Sequence, residues 1–127
     1  MAGESKWSEF LKGENYRLVD LGRPAVFLIP SKVFSLPFKN GATIETAVKA
    51  FLIDNFDGFT MTAVPNFGFW YDGHEHIMDE SVKFEVSFLG KDHIPILLSF
   101  LADVARLGGE DCIYITAGQY AALIYPT

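Results

Sequence analysis

The stretch from Asp57 to Leu89, DGFTMTAVPNFGFWYDGHEHIMDESVKFEVSFL, decides the fold. Asp72-Gly73 is a two-residue hairpin signal, because both central positions of a type I′ turn take φ > 0. A turn there pairs residues whose numbers sum to 145. Phe59 then faces Val86, Met61 faces Phe84, Ala63 faces Val82, Phe69 faces His76 and Tyr71 faces His74. Side chains alternate with period two, so all of these fall on one face. Thr60/Glu85, Thr62/Lys83, Val64/Ser81 and Trp70/Glu75 fall on the other. One register sorts both arms into an apolar and a mostly polar side, and a slip by one residue scrambles it. The arms hold about 15 residues each, or about 50 Å at 3.3 Å per residue. That is longer than an ordinary strand. Pro65 lies in the first arm and lacks an N–H for the ladder, so an edge or a bulge is expected there, with Asn66 and Gly68 beside it.

Before the hairpin, Thr43 is a good N-cap, and Ile44, Ala47, Val48, Phe51 and Leu52 follow at helical spacing. Ala25 to Ile29 is a continuous apolar run, which predicts a strand covered on both faces. Between them Pro30 and Pro37 bracket a loop whose Val33, Phe34, Leu36 and Phe38 call for shelter. After the hairpin, Asp92 is placed to cap a second helix with Pro95 in its first turn and Gly108-Gly109 ending it. Its stripe is Ile94, Leu97, Leu98, Leu101, Val104 and Ala105, yet Ile96, Phe100 and Leu107 lie outside that stripe. A helix this apolar is buried on two sides or packs on another subunit. Asp111 to Ala117 and Tyr120 to Tyr125 read as two more strands. At the start of the chain, Gly3 to Lys12 reads as a short helix and Asn15 to Leu21 as a short strand.

The order is strand, helix, long hairpin, helix, strand and an extra strand. β-α-β-β-α-β at this length resembles the ferredoxin-like superfamily in element order over about four fifths of the chain. The fold class that follows is α+β, a ferredoxin-like α/β plait: an antiparallel sheet with two helices on one face and a long central hairpin. The expected division is one domain over 1–127, with 1–22 an N-terminal extension and 23–127 the core. Gly58/Thr60, Gly68/Trp70 and Glu80 also resemble a Gly-x-Thr … Gly-x-Trp … Glu pattern found in a group of small bacterial proteins. That resemblance implies no activity.

Composition narrows the partners. Among 127 residues, Lys+Arg number 10 against Asp+Glu 16, a formal net charge of −6. Nucleic-acid affinity rests on neutralising phosphates with basic side chains, so no nucleic-acid partner is expected, and an anionic membrane surface is equally disfavoured. The first fifteen residues hold no long apolar run, which predicts neither a signal peptide nor a membrane span, and a cytoplasmic setting. A lone Cys112 inside DCIYIT makes no internal disulfide and reads as a buried strand thiol.

The chemistry concentrates at the hairpin tip. His74 and His76 on a strand would share a face about 7 Å apart, a candidate divalent-metal pair lacking a third ligand. Otherwise no cofactor is implied. Asp72, Asp79 and Glu80 read as solvated turn carboxylates. Phe67, Phe69, Trp70 and Tyr71 beside the histidines are not explained by solvation and mark a contact for a subunit, a small-molecule ligand or a protein partner. No nucleophile elbow, phosphate loop or metalloprotease motif occurs. The expected function is therefore a small homo-oligomeric binding or regulatory module without evident catalytic machinery, working through the 57–90 hairpin. A small cofactor-free or metal-assisted enzyme and a structural accessory subunit stand as alternatives.

Overall fold

The computed structural model describes residues 6–71, 73–118 and 120–127. Its elements are β1 (Pro24–Pro30), α1 (Ile44–Phe56), β2 (Thr60–Tyr71), β3 (His76–Ser87), α2 (Ile94–Gly108), β4 (Ile113–Ala117) and β5 (Tyr120–Ile124). One five-stranded sheet runs in the order β2-β3-β1-β4-β5, with every neighbouring pair antiparallel. This is the expected α+β plait, extended by β5 at one edge.

Local chemistry accounts for the helices. Thr43 Oγ1 accepts the Thr46 N–H at 3.2 Å, satisfying one of the free donors of the first turn of α1. Asp57 ends α1 in the left-handed region at φ 65°, and its N–H donates to the Ile53 carbonyl. At α2 the structure departs from expectation: His93 rather than Asp92 sits at the cap, and no side chain bonds there. Pro95 in the first turn needs no N–H partner, which lowers the demand for a cap.

The core lies between the helices and one face of the sheet. Phe27 of β1 stacks on Phe84, its register partner on β3, with ring centroids 5.5 Å apart. Ile44, Val48 and Leu52 from α1 and Leu97, Leu101 and Val104 from α2 are buried in the same cluster. Each side chain of this size stabilises the fold by about 1.5–3 kcal/mol. Along β1, Ala25, Phe27 and Ile29 are buried while Val26 and Leu28 are only half-buried. The strand is thus covered by helices on one face only, because its apolar run reflects a central position between β3 and β4 rather than a second helical layer.

The surplus apolar surface of α2 is partly used within the chain. Phe100 stacks on Phe51 of α1 at 3.9 Å and meets Phe38 from the loop at 5.4 Å. Ile96 and Leu107 stay exposed. Of the loop residues, Val33 is buried and Phe34 and Phe38 pack on the core, as their composition requires, whereas Leu36 is at the surface. The N-terminal expectations fare worse. Ser8–Phe10 is a single 3-10 turn with no buried residue, and the Gly3–Ser5 part of the expected helix lies outside the described residues. Asn15 to Leu21 forms no strand, only an isolated bridge between Lys12 and Arg17. With Trp7, Phe10, Val19 and Leu21 all exposed, no burial is available to organise the segment.

The hairpin follows the expected register only at its base. Thr60 pairs Glu85, Met61 pairs Phe84 and Thr62 pairs Lys83, as the sum of 145 requires. Between Thr62 and Asn66 the register shifts, and from Asn66↔Ser81 to Tyr71↔His76 the numbers sum to 147. The shift brackets Pro65, where a missing N–H was expected to break the ladder. Shifting by two residues preserves which side chains share a face, so the two-sided sorting survives while the individual partners change. Phe69 faces Met78 rather than His76, Trp70 faces Ile77 rather than Glu75, and Tyr71 faces His76 rather than His74. The turn is correspondingly wider, with Gly73, His74 and Glu75 in a bend; Asp72 itself lies outside the described residues.

Candidate functional site

β1 stops supporting the hairpin at the pair Pro30↔Ser81. Beyond that point the Asn66–Tyr71 part of β2 and the His76–Glu80 part of β3 pair with each other alone. This two-stranded ribbon projects about 17–20 Å past the sheet, at roughly 3.3 Å per residue. It carries Phe67, Phe69, Tyr71, Glu80, Met78 and His76 on one face, and Trp70, Ile77, Asp79 and Gly68 on the other. Phe67, Phe69, Trp70, Tyr71 and Met78 are all exposed, Phe69 to 73%. The expected contact residues therefore do come together on one arm. Tyr71 and His76 rings lie 5.3 Å apart, and the indole of Trp70 leans back over Gly68, where a Cβ would meet it at 3.0 Å.

The histidines divide. His76 begins β3, but His74 lies in the bend, so the strand spacing that set both imidazoles side by side does not apply. Among the described residues no group of three or more His, Cys, Asp or Glu is placed to hold a metal ion.

The carboxylates divide too. Glu80 is exposed, opposite Phe67 on the aromatic face. Asp79 is 8% exposed, which corrects its reading as a solvated turn residue. It meets Lys32 Nζ at 3.3 Å, and the same ammonium lies 3.6 Å from Glu110 Oε2. Burial pushes the Glu110 carboxyl above its ordinary range; Lys32 opposes this shift and the Asp79 charge adds to it. Burial works against the Lys32 ammonium, but the Glu110 and Asp79 carboxylates outweigh it and raise its pKa. This cluster ties the root of the arm to the segment after β1 and to the end of α2. Sequence reasoning missed it, since Lys32 and Glu110 stand 78 positions apart in unremarkable loops.

A second feature was equally silent in the sequence. A cavity of about 950 Å³ opens between the N-terminal segment, the start of α2 and the β4-β5 hairpin. Its floor is apolar, with Ala25, Ile115, Leu97 and Leu98 among its walls, and Lys6, Arg23 and Lys91 stand around it together with Asp20, the only acid lining it among the described residues. The Asp20 carboxylate accepts the Gly22 N–H at 2.9 Å.

No protein-family model and no curated protein matches the chain. Two solved structures resemble it. A phage SAM lyase in complex with S-methyl-5′-thioadenosine superposes with a TM-score of 0.57 at 13% identity, over 89% of this chain and 96% of that one. A phage SAM lyase in its apo state gives 0.54 at 14% identity, over 87% and 94%. The likeness is one of fold, and it spans nearly the whole of both chains. It corrects the expectation of a module without catalytic machinery, which rested on the absence of a familiar motif: the architecture found here is one on which an enzyme is built.

Proposed function

We propose that this chain is a lyase acting on a sulfonium nucleoside of the S-adenosylmethionine type and releasing the 5′-thioether nucleoside. The observation that carries the reading is the fold likeness to the SAM lyase over 89% of the chain. The aromatic face of the arm supports it. Purines stack on exposed aromatic rings, and Phe67, Phe69 and Tyr71 share that face with one carboxylate, Glu80. In such a lyase the bond from sulfur to the γ-carbon of the aminobutyrate chain breaks, and its electron pair stays on sulfur. The sulfonium charge vanishes in that step. An apolar, water-poor surface therefore favours it, because the charged reactant loses more hydration than the neutral thioether. The four-carbon fragment needs no water: its own carboxylate closes on the γ-carbon, so atoms and charge balance without an external base. Glu80 then holds the substrate's α-ammonium, whose charge persists throughout, and orients the chain for closure.

An exposed ribbon is not a closed site, so the reading includes assembly: the arm meets another copy of the chain, and that contact excludes water from the aromatic face. The net charge of −6 suits a cationic substrate. The test is to incubate the purified protein with S-adenosylmethionine and follow S-methyl-5′-thioadenosine by chromatography. The thioether should accumulate with turnover, and Glu80→Gln should lower kcat/KM by about 10²-fold, the usual scale for losing one positioned electrostatic contact. Thioether release no faster than in a protein-free control would defeat the proposal.

A further inference from the structure

We infer that the cavity of about 950 Å³ beside α2 binds a single-chain amphiphile, its carboxylate head at the basic mouth and its hydrocarbon body on the apolar floor. The arm leaves the sheet at Pro30↔Ser81, whereas Arg23 and Ala25 stand at the opposite end of β1. This site is therefore separate from the aromatic face of the arm. Size is the first argument. Pockets that bury a small molecule enclose about 300–1,000 Å³, and this one lies at the upper end of that range. Its room comes from short side chains on the β4-β5 hairpin, where Ala117, Ala121 and Ala122 line it opposite α2.

The chemistry of the lining selects the ligand. Among the described residues it holds no Ser, Asn, Gln, His or Tyr, so Thr116 and the Trp7 indole are its only uncharged polar side chains. A base or sugar buried there would lose its water without replacement, whereas a hydrocarbon chain has no such hydrogen bonds to lose. Charge and apolar surface are also sorted by depth. Ala25, Leu97 and Ile115 are buried, while Lys6, Arg23 and Lys91 are exposed, which puts the cations at the mouth and the aliphatic wall beneath them. The acid beside them, Asp20, already accepts the Gly22 N–H. On a chain of net charge −6, three cations against one carboxylate reverse the local sign and draw in an anion. Lys91 forms no ion pair among the described residues, so its ammonium is the one to reverse in a test.

The experiment is calorimetric titration of the full chain with decanoate, octanoate and decyltrimethylammonium, each kept below its micelle concentration. Decanoate should saturate at one molecule per chain. Octanoate should bind about tenfold more weakly, because two buried methylenes are lost. The cation should not saturate. Lys91→Glu should weaken decanoate by about tenfold, the scale of one hydrogen bond to a charged group. Ala122→Phe, which fills the floor, should abolish binding, with circular dichroism confirming that each variant is folded. Leu98→Gln, which sets an amide in the aliphatic wall, should also weaken binding and replaces Ala122→Phe if that variant does not fold. Absence of saturation by decanoate, equal affinity for octanoate or for the cation, or folded variants that keep wild-type affinity would each overturn the inference. No readout involves thioether release, so failure here leaves the lyase reading standing.

Discussion

The two halves of the β2-β3 hairpin make an instructive pair, because they are the same two strands under different cover. At the base, β3 lies between β2 and β1 with helices over one face, and side chains alternate cleanly: Phe84 and Val86 are buried and Glu85 is exposed. Past Pro30↔Ser81 the helices and β1 fall away, and aromatic or aliphatic side chains appear on both faces. The base is apolar where its own chain covers it. The arm is apolar where its own chain leaves it bare. The hydrophobic content of the base builds the fold, whereas that of the arm stays exposed on it.

Substitutions sharpen this contrast. The largest effect is expected in the base: Phe84→Ala empties a fully buried site stacked on Phe27 and should cost about 3–5 kcal/mol in chemical denaturation. Phe69→Ala in the arm should leave the stability of the isolated monomer within about 0.5 kcal/mol, the usual range for surface changes. A large loss from Phe69→Ala in a monomeric sample would break the comparison.

At the junction of the halves, Lys32→Met leaves Asp79 and Glu110 facing each other without their cation. Removing a partner from a buried pair costs about 3–5 kcal/mol, but the Lys32 side chain is 60% exposed, so solvent screening reduces the expectation to about 1 kcal/mol. The pH dependence has a definite sign. Glu110 already binds its proton more readily folded than unfolded, which lowers stability as pH rises through its carboxyl range. Without Lys32 the Glu110 carboxyl loses the charge that opposes its upward shift, so the variant should lose more stability at pH 8 than at pH 4. Equal losses at both pH values would remove the electrostatic account of the junction. The smallest effect belongs to Gly68→Ala, whose Cβ meets the Trp70 ring at 3.0 Å. In a Trp7→Phe background the emission of Trp70 should shift as the indole is pushed outward, with stability nearly unchanged.

Much of this architecture was legible because it rests on local chemistry. The Thr43 cap, the left-handed glycine ending α2 and the periodicity of both helices are short-range devices, and each lies where the residues imply. The base register followed from alternation alone. The distal register did not, since Asp72-Gly73 promised a tight turn, while the shift at Pro65 lengthened the loop by two residues. Asp79 was misread for the same reason, as a tip residue when it sits at the buried root. Of the expected site residues, Phe67, Phe69, Tyr71 and His76 share one face of the arm, Trp70 lies on the other, and His74 lies in the bend. The expectation of a module without catalytic machinery was overturned by a likeness of fold, which no local motif in the sequence marks.

By itself, then, the sequence determined the plait, the two-sided hairpin and the concentration of aromatic residues near its tip, all consequences of side-chain periodicity and turn preference. Only the tertiary structure decided where β1 ends its support, which carboxylate is buried against Lys32, and that Lys6, Arg23 and Lys91 share one mouth. Those depend on which distant segments the sheet order brings together, and no spacing along the chain encodes that.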